Sequence, residues 1–302
     1  MKSVSHSDRE KAELRGSVRT IVDDWSTTVF DRDGKIIEWR GNTSHGHSER
    51  TYSYDEDGKL IRITSSNEDQ LDEFRYDEQG RMTHIRHVPA RTGGAKATGF
   101  GVYFEAVLEG DILTDGGTVE TTYNESGQPV DRRIVDDQGT LLFRIVHLYA
   151  ADGRLAEERL VSENLGLPRA LRDQIPSEQR DAVLAQMKTA LENMRQQTGL
   201  FGDAERTYVY NGQGRVAERH MRMGSIREDL AWTFNDRGDV IEFTIRTSGF
   251  PPEFGGLSEQ QRNCRYSYEY DDHGNWVSRT EAWEVEGNTT TGTQVRHLTY
   301  YS

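Results

Sequence analysis

The chain has 302 residues and a formal net charge of −14, with 37 Lys and Arg against 51 Asp and Glu. No run of Lys or Arg builds a basic face, which argues against nucleic acid and against an anionic membrane surface as partners. Cys264 is the only cysteine, so an intramolecular disulfide and a Cys-based zinc site are excluded, and no stretch approaches the ~18 apolar residues of a membrane-spanning helix.

In chain order, residues 1–18 carry no apolar h-region, so no Sec signal peptide is expected and the expected location is cytoplasmic. "FDRDGKI" follows, centred on Gly34, and it is the first of nine related stretches. The segment "NTSHGHSER" reads as a hairpin loop. His45 and His47 share a side there if extended, but no carboxylate set completes a metal site around them. "YSYDEDGKL" and "YDEQGRM" give the copies at Gly58 and Gly80. His84 and His87 lie at an odd offset, on opposite faces of a strand, and so do not share a metal. Residues 88–118 then break the rhythm. A Gly-rich loop at about 88–100, "VPARTGGAKATG", has no GK[ST] and no following helix, so it reads as a surface loop rather than a phosphate cradle. Another hairpin is expected after it, turning at Glu109-Gly110.

Copies at Gly127, Gly139 and Gly153 come next, and then the one helical insertion, at about 166–198. Ser177 reads as its N-cap and Gly199 as its C-cap. Leu184, Met187, Leu191 and Met194 form a single apolar stripe, expected to lie on the aromatic face of the hairpins around Tyr149 and Tyr210. The chain resumes with copies at Gly214, Gly238 and Gly274, and "QVRHLTYYS" reads as a closing strand.

Aligned on glycine, the nine copies share three columns. Four residues before it stand Phe30, Tyr54, Tyr76, Tyr123, Val135, Tyr149, Tyr210, Phe234 and Tyr270. Three before it, eight of nine are Asp or Asn; two after it, every residue is apolar or proline. A three-residue hairpin loop with a glycine bulge explains all three columns. Glycine takes φ > 0, the Asx side chain bonds its own backbone two residues on, and Tyr54 pairs with Leu60 across the strands. The residue six before glycine is often aromatic too, as in Tyr52, Phe74, Tyr208, Trp232 and Tyr268, and period 2 puts it on the same face. A calcium loop is not expected, because an EF-hand places its glycine sixth and here it is fourth.

The pattern Y-x-Y-D-x-x-G-x-apolar, carried best by "YSYDEDGKL", "FRYDEQGRM", "YVYNGQGRV" and "YEYDDHGNW", resembles the YD repeats of the bacterial RHS family. The resemblance implies hairpins adding strand by strand to one long curling sheet, which in large members closes into a shell around a toxin or other cargo. Glycine spacings here are irregular, nine hairpins are few for a shell, and no sequence like "DPxGL" of the self-cleaving core occurs. Encapsulation and autoproteolysis are therefore not expected. The expected fold is all-β: one domain over 1–302, an extended, curled antiparallel sheet of YD-type hairpins with one helical insertion.

No G-x-S-x-G elbow, H-E-x-x-H or Cys–His arrangement occurs. The expected function is that of a non-enzymatic scaffold presenting a concave sheet face to a protein partner, in a bacterial interaction, immunity or accessory role. No catalytic residue, cofactor or metal is expected. The candidate groove residues are Tyr149, Met187, Leu191, Met194, Tyr210 and Trp232. The alternative is an enzyme or small-molecule-binding protein with its site between the helical insertion and the sheet.

Overall fold

The computed structural model describes residues 12, 14–43, 46–66, 71–88, 117–136, 139–162, 203–249, 259–285 and 287–301, residues 178 and 179, and part of 182–193. Eighteen antiparallel strands follow one another around a single sheet. They are β1 (Val18–Asp23), β2 (Ser26–Phe30), β3 (Ile36–Thr43), β4 (Gly46–Tyr54), β5 (Leu60–Ser65), β6 (Leu71–Tyr76), β7 (Met82–Val88), β8 (Gly117–Tyr123) and β9 (Pro129–Asp136), continuing through β10 (Leu141–Tyr149), β11 (Leu155–Ser162), β12 (Ala204–Tyr210), β13 (Val216–Met223), β14 (Ile226–Phe234), β15 (Val240–Ser248), β16 (Gln260–Tyr270), β17 (Trp276–Val285) and β18 (Asn288–Tyr300).

The sheet closes into a barrel, which corrects the expectation of an extended, curled one. The reason is β1, which precedes the first motif copy. It pairs with β2 on one side, Ile21 opposite Thr28, and with β18 on the other, Ile21 opposite Leu298. Each strand then has two partners and no edge is left for another chain to extend. Val18 and Phe30 are fully buried at this seam with Leu14 against them. Tyr301 N donates to Ser17 O at 2.9 Å and Tyr301 Oη to Phe30 O at 2.6 Å, so the residue after β18 ties the seam to the start of β1 and to β2 beyond it. Among the described residues, no strand makes more than isolated contacts beyond its two neighbours. The ring thus encloses an interior, as barrels of 16–18 strands do.

All nine motif glycines have positive φ, between 78° and 92°. The turn forms as the sequence dictates: Asp55 N donates to Lys59 O at 2.9 Å and Gly58 N to Asp55 O at 3.0 Å. Tyr54–Leu60, Tyr76–Met82 and Tyr210–Val216 are register partners across the bulge. The Asx side chain bonds the backbone two residues on at Asp77, Asn211, Asn235 and Asp271, as expected, and it also reaches further, because the bulge brings the fifth residue's N–H over it. Lys59 N donates to Asp55 Oδ1 at 2.8 Å, and the same four-residue reach recurs at Asp31, Asp77, Asn124, Asp136, Asn211, Asn235 and Asp271.

Eight of these turns lie at one end of the barrel. The turn at Gly139, which joins β9 to β10, lies at the other, because an odd number of strands separates it from its neighbours in the series. It is also the copy with Val135 in place of the aromatic residue.

Period-2 alternation divides every strand between two faces. The aromatic columns fall on the half-buried face, and the alternate positions are exposed and polar. Side chains on the concave face of a cylinder converge and lose more surface, so the aromatic face is the inner one. The outer face carries cross-strand ion pairs such as Arg144–Asp131 at 2.7 Å, Arg133–Glu120 at 3.4 Å and Arg265–Glu242 at 3.6 Å. Each is worth little alone, but together they dress that face for water.

Residues 182, 183, 185, 186, 189, 190 and 193 are helical, with Val183 N bonded to Gln179 O at 3.0 Å. The stripe of Leu184, Met187, Leu191 and Met194, the caps Ser177 and Gly199, the Gly-rich loop from 89 onward, the hairpin at 109–110 and His45 lie outside the described residues.

Candidate functional site

The inner wall divides into three zones. The first is a rim at the end that carries the eight YD turns. There each hairpin is tied to the one before it. Tyr54 Oη donates to Ile36 O at 2.7 Å, Tyr76 Oη to Leu60 O at 2.7 Å, Tyr149 Oη to Pro129 O at 2.7 Å and Tyr210 Oη to Leu155 O at 2.8 Å. The residue after each glycine adds a second link. Lys35 lies 5.3 Å from the ring centroid of Tyr54, Lys59 5.7 Å from Tyr76, Arg154 4.9 Å from Tyr210 and Arg215 5.5 Å from Phe234. Burial raises the pKa of Tyr149 and Tyr210, so both stay protonated as donors.

The second zone is a polar row deeper in the wall. His147, Glu158 and Arg206 are successive register partners on β10, β11 and β12. All three are buried. His147 Nε2 stands 3.3 Å from Glu158 Oε1 and Arg206 Nη1 3.3 Å from Glu158 Oε2, and Tyr208 Oη donates to that same oxygen. Burial alone pushes the Glu158 pKa up. The bonds from His147 and Tyr208 and the Arg206 charge outweigh it, so the carboxylate is held below its ordinary range. Burial and the bond to Glu158 raise Tyr208. A carboxylate this firmly ionised beside a phenol this firmly protonated holds charge in place; it is not poised to cycle protons near neutrality. One register step further from the rim the row is apolar: Ile145, Leu160, Ala204, Met223 and Ile226 are successive partners and all buried.

The third zone is the aromatic wall of β14 to β17. Trp232 stacks on Phe243 at 5.6 Å, and Phe243 meets Trp283 edge-on at 6.2 Å. Tyr268 neighbours Tyr266, Tyr270 and Trp276 within 6.4 Å. Arg279 lies over Tyr266 at 5.2 Å and over Trp276 at 5.4 Å, and its Nε is buried without a hydrogen-bond partner. The rings are half-buried, not sealed. Cys264, beneath them, is buried, and burial raises its pKa, which leaves an inert thiol.

Of the candidate groove residues, Tyr149 and Tyr210 sit in the rim ladder, while Trp232 belongs to the aromatic wall, one inward position deeper on its strand. The structure does not gather them into one site. Met187, Leu191 and Met194 lie outside the described residues. Sequence reasoning missed the His147–Glu158–Arg206–Tyr208 row. Its signal was available: in "AERTYVY" Arg206 stands in phase with Tyr208 and Tyr210, so a charge falls on the aromatic face. Among the described residues, no group of three or more His, Cys, Asp or Glu side chains is placed to hold a metal ion.

Residues 25–127 match the family model of the Teneurin YD-shell. That match supports a relationship to the RHS/YD-repeat proteins. The match spans the first four turns of the rim, and the YD turns at Gly153, Gly214, Gly238 and Gly274 beyond it repeat their backbone hydrogen bonds. Comparison with curated proteins returns no match. Among solved structures, a porin-like protein from Bacteroides uniformis ATCC 8492 aligns over 94% of this chain and 95% of its own, at 9% identity and a TM-score of 0.40. A crystal structure of TcdB2-TccC3-Cdc42 aligns over 88% of this chain at 13% identity and a TM-score of 0.23. The alignment covers 15% of that longer chain.

Proposed function

We propose that this YD-repeat barrel is a non-enzymatic scaffold that holds an extended segment of a protein partner against its inner aromatic wall. The observation that carries the reading is the run Trp232–Phe243–Trp283 with Tyr266 and Tyr268 beside it, half-buried on the concave face. Half-covered aromatic clusters are the usual anchors of polypeptide recognition. Arg279 lies among them with a free Nε–H, which favours a segment bearing carboxylates between apolar side chains. The outer face, with its ion-pair ladders, supports a barrel whose outside meets water, since a lipid-facing barrel needs an apolar band ~25 Å tall.

A photo-crosslinking residue placed at Trp283, on the inner face, and at Ala282, on the outer one, tests this in the native host. Adducts to one protein from position 283, lost when Trp232→Ala is added, are the expected result. Equal adducts from both positions, or none from 283, would overturn the reading.

A further inference from the structure

The rim is not uniform around its circumference. Between the turns at Gly238 and Gly274 and the segment entering β1 there is a cavity of about 210 Å³. Arg15, Arg215, Arg237 and Arg296 line it, with Asp239 as the only carboxylate among the described residues of the lining. In a chain of net charge −14, such a concentration of guanidinium groups runs against the average composition.

The geometry brings two of them together. A Cβ built on Gly274 would lie 2.7 Å from Arg15 Nη1 and 3.1 Å from Arg237 Nη1, so both guanidinium groups meet over this glycine. Arg237 is held there by the face of Tyr270, 4.4 Å from its centroid, and Arg296 by the face of Trp276 at 3.6 Å. Backbone bonds fix the Arg15 end: Arg15 N donates to Asn275 Oδ1 at 2.7 Å, and Asn275 Nδ2 to Arg15 O at 2.8 Å. The nearby carboxylates are engaged by neutral donors. Tyr270 Oη donates to Asp239 Oδ2 at 2.6 Å, and Tyr300 Oη donates to Asp271. Among the described residues, Arg15, Arg237 and Arg296 make no ion pair. Burial pushes the Arg296 pKa down to about 10, with the Arg279 charge adding to it against Asp271, Tyr300 and Asp239. Four guanidinium groups face one carboxylate across the cavity, so positive charge is in excess there, and an anion held between Arg15, Arg237 and Arg296 offsets it.

We propose that this rim cavity is a binding site for a phosphate group, free or as the monoester of a small molecule, held by Arg15, Arg237 and Arg296. A tetrahedral dianion accepts hydrogen bonds from guanidinium forks in several directions at once, whereas a monocarboxylate meets one fork in one plane. A cavity of roughly 150 Å³ holds a benzene molecule, so this one admits a phosphate with a short ester arm. The site shares Tyr270 and Trp276 with the rim end of the aromatic wall, but its arginines do not depend on a partner bound deeper along that wall.

Isothermal titration of the full chain at constant ionic strength tests it, with inorganic phosphate, phenyl phosphate and acetate as probes. Saturable binding of phosphate, tighter than acetate, is expected. Arg237→Gln should weaken it by about tenfold or more, the scale of one lost charge-assisted bond. Arg265→Gln, on the outer face, should leave it unchanged. Tighter binding of phenyl phosphate than of phosphate identifies a monoester as the ligand class, and the reverse order identifies the free ion. Should Arg237→Gln not fold, Arg15→Gln gives the same readout, since the Asn275 clasp uses only the Arg15 backbone. No saturable binding of either phosphate probe, or unchanged affinity in these variants, would overturn the proposal.

Discussion

At one end of the barrel eight turns repeat one hydrogen-bond pattern, each linked to the next by a tyrosine hydroxyl, a stacked cation or both. At the other end the connections range from the two residues 224–225 to the long segments after Val88 and Ser162, and among the described residues only Gly139 repeats the turn. The rim is regular and, away from the seam where Leu14, Val18 and Phe30 are buried, polar. The far half of the wall from β7 to β14 is irregular in sequence and holds the larger buried apolar cluster. The two ends therefore differ in what holds them. Rim contacts are many and individually small, on the order of 1 kcal/mol for a neutral hydrogen bond or an exposed cation–ring contact. The far half depends on a few buried side chains, each worth several times that. Repetition and stability reside at opposite ends.

The largest test of that division falls on the boundary between them. Glu158→Gln removes the carboxylate shared by His147, Arg206 and Tyr208, and breaking a buried ion pair from one side costs about 3–5 kcal/mol. The loss should depend on pH in a defined direction. The folded pKa of Glu158 lies below its ordinary value of 4.5, so its contribution is complete above that pH and is lost as the pH falls through the folded value. Urea unfolding at a series of pH values should show the gap between wild type and variant narrowing below about pH 4.5. A gap independent of pH would mean that the charge on Glu158 contributes nothing to the fold.

Next in size, Leu160→Ala empties a fully buried position in the apolar row and should cost about 2–5 kcal/mol. Tyr54→Phe, which deletes only the hydroxyl bonded to Ile36 O, should cost about 1 kcal/mol. Equal losses in chemical denaturation would erase the distinction between the ends.

What the sequence disclosed follows the same line. The rim was legible because Asx, glycine and aromatic residues at fixed spacing leave the backbone few alternatives, and Tyr54 opposite Leu60 needed no tertiary information. Closure was not legible. It depends on "VRTIVD" in β1, which carries no motif and finds both its partners through tertiary geometry. The tyrosine ladder was hidden for a related reason: whether Tyr76 reaches Leu60 depends on the stagger between hairpins, which no single repeat contains. Trp232 could be placed on the inner face by period alone. So could Arg206, in phase with Tyr208 and Tyr210, but not its meeting with Glu158 and His147, since the members of that row come from three strands and only their register joins them. The rim arginines were equally silent, because Arg15 and Arg237 are 222 positions apart and meet only once β1 has closed the ring.

The smallest effect gives the most direct comparison of the two ends, because it makes one substitution in one turn type. Gly58 at the rim and Gly139 at the far end have φ of 79° and 80°, so an alanine at either meets the same left-handed penalty, about 1–2 kcal/mol. Their surroundings differ. A Cβ on Gly58 would lie 2.3 Å from Lys35 Nζ, whereas nothing stands within 4 Å of one on Gly139. Lys35 ends in a flexible chain and can move aside, but moving takes it off the face of Tyr54. That contact is worth about 0.5–1 kcal/mol at an exposed site. Gly58→Ala should therefore cost more than Gly139→Ala by about that margin when both are unfolded in urea. The margin should disappear in a Lys35→Ala background, where no cation is left to displace. If the two alanines cost the same in the wild-type background, the stacked cations contribute nothing and the rim is held by its backbone turns and tyrosine hydroxyls alone.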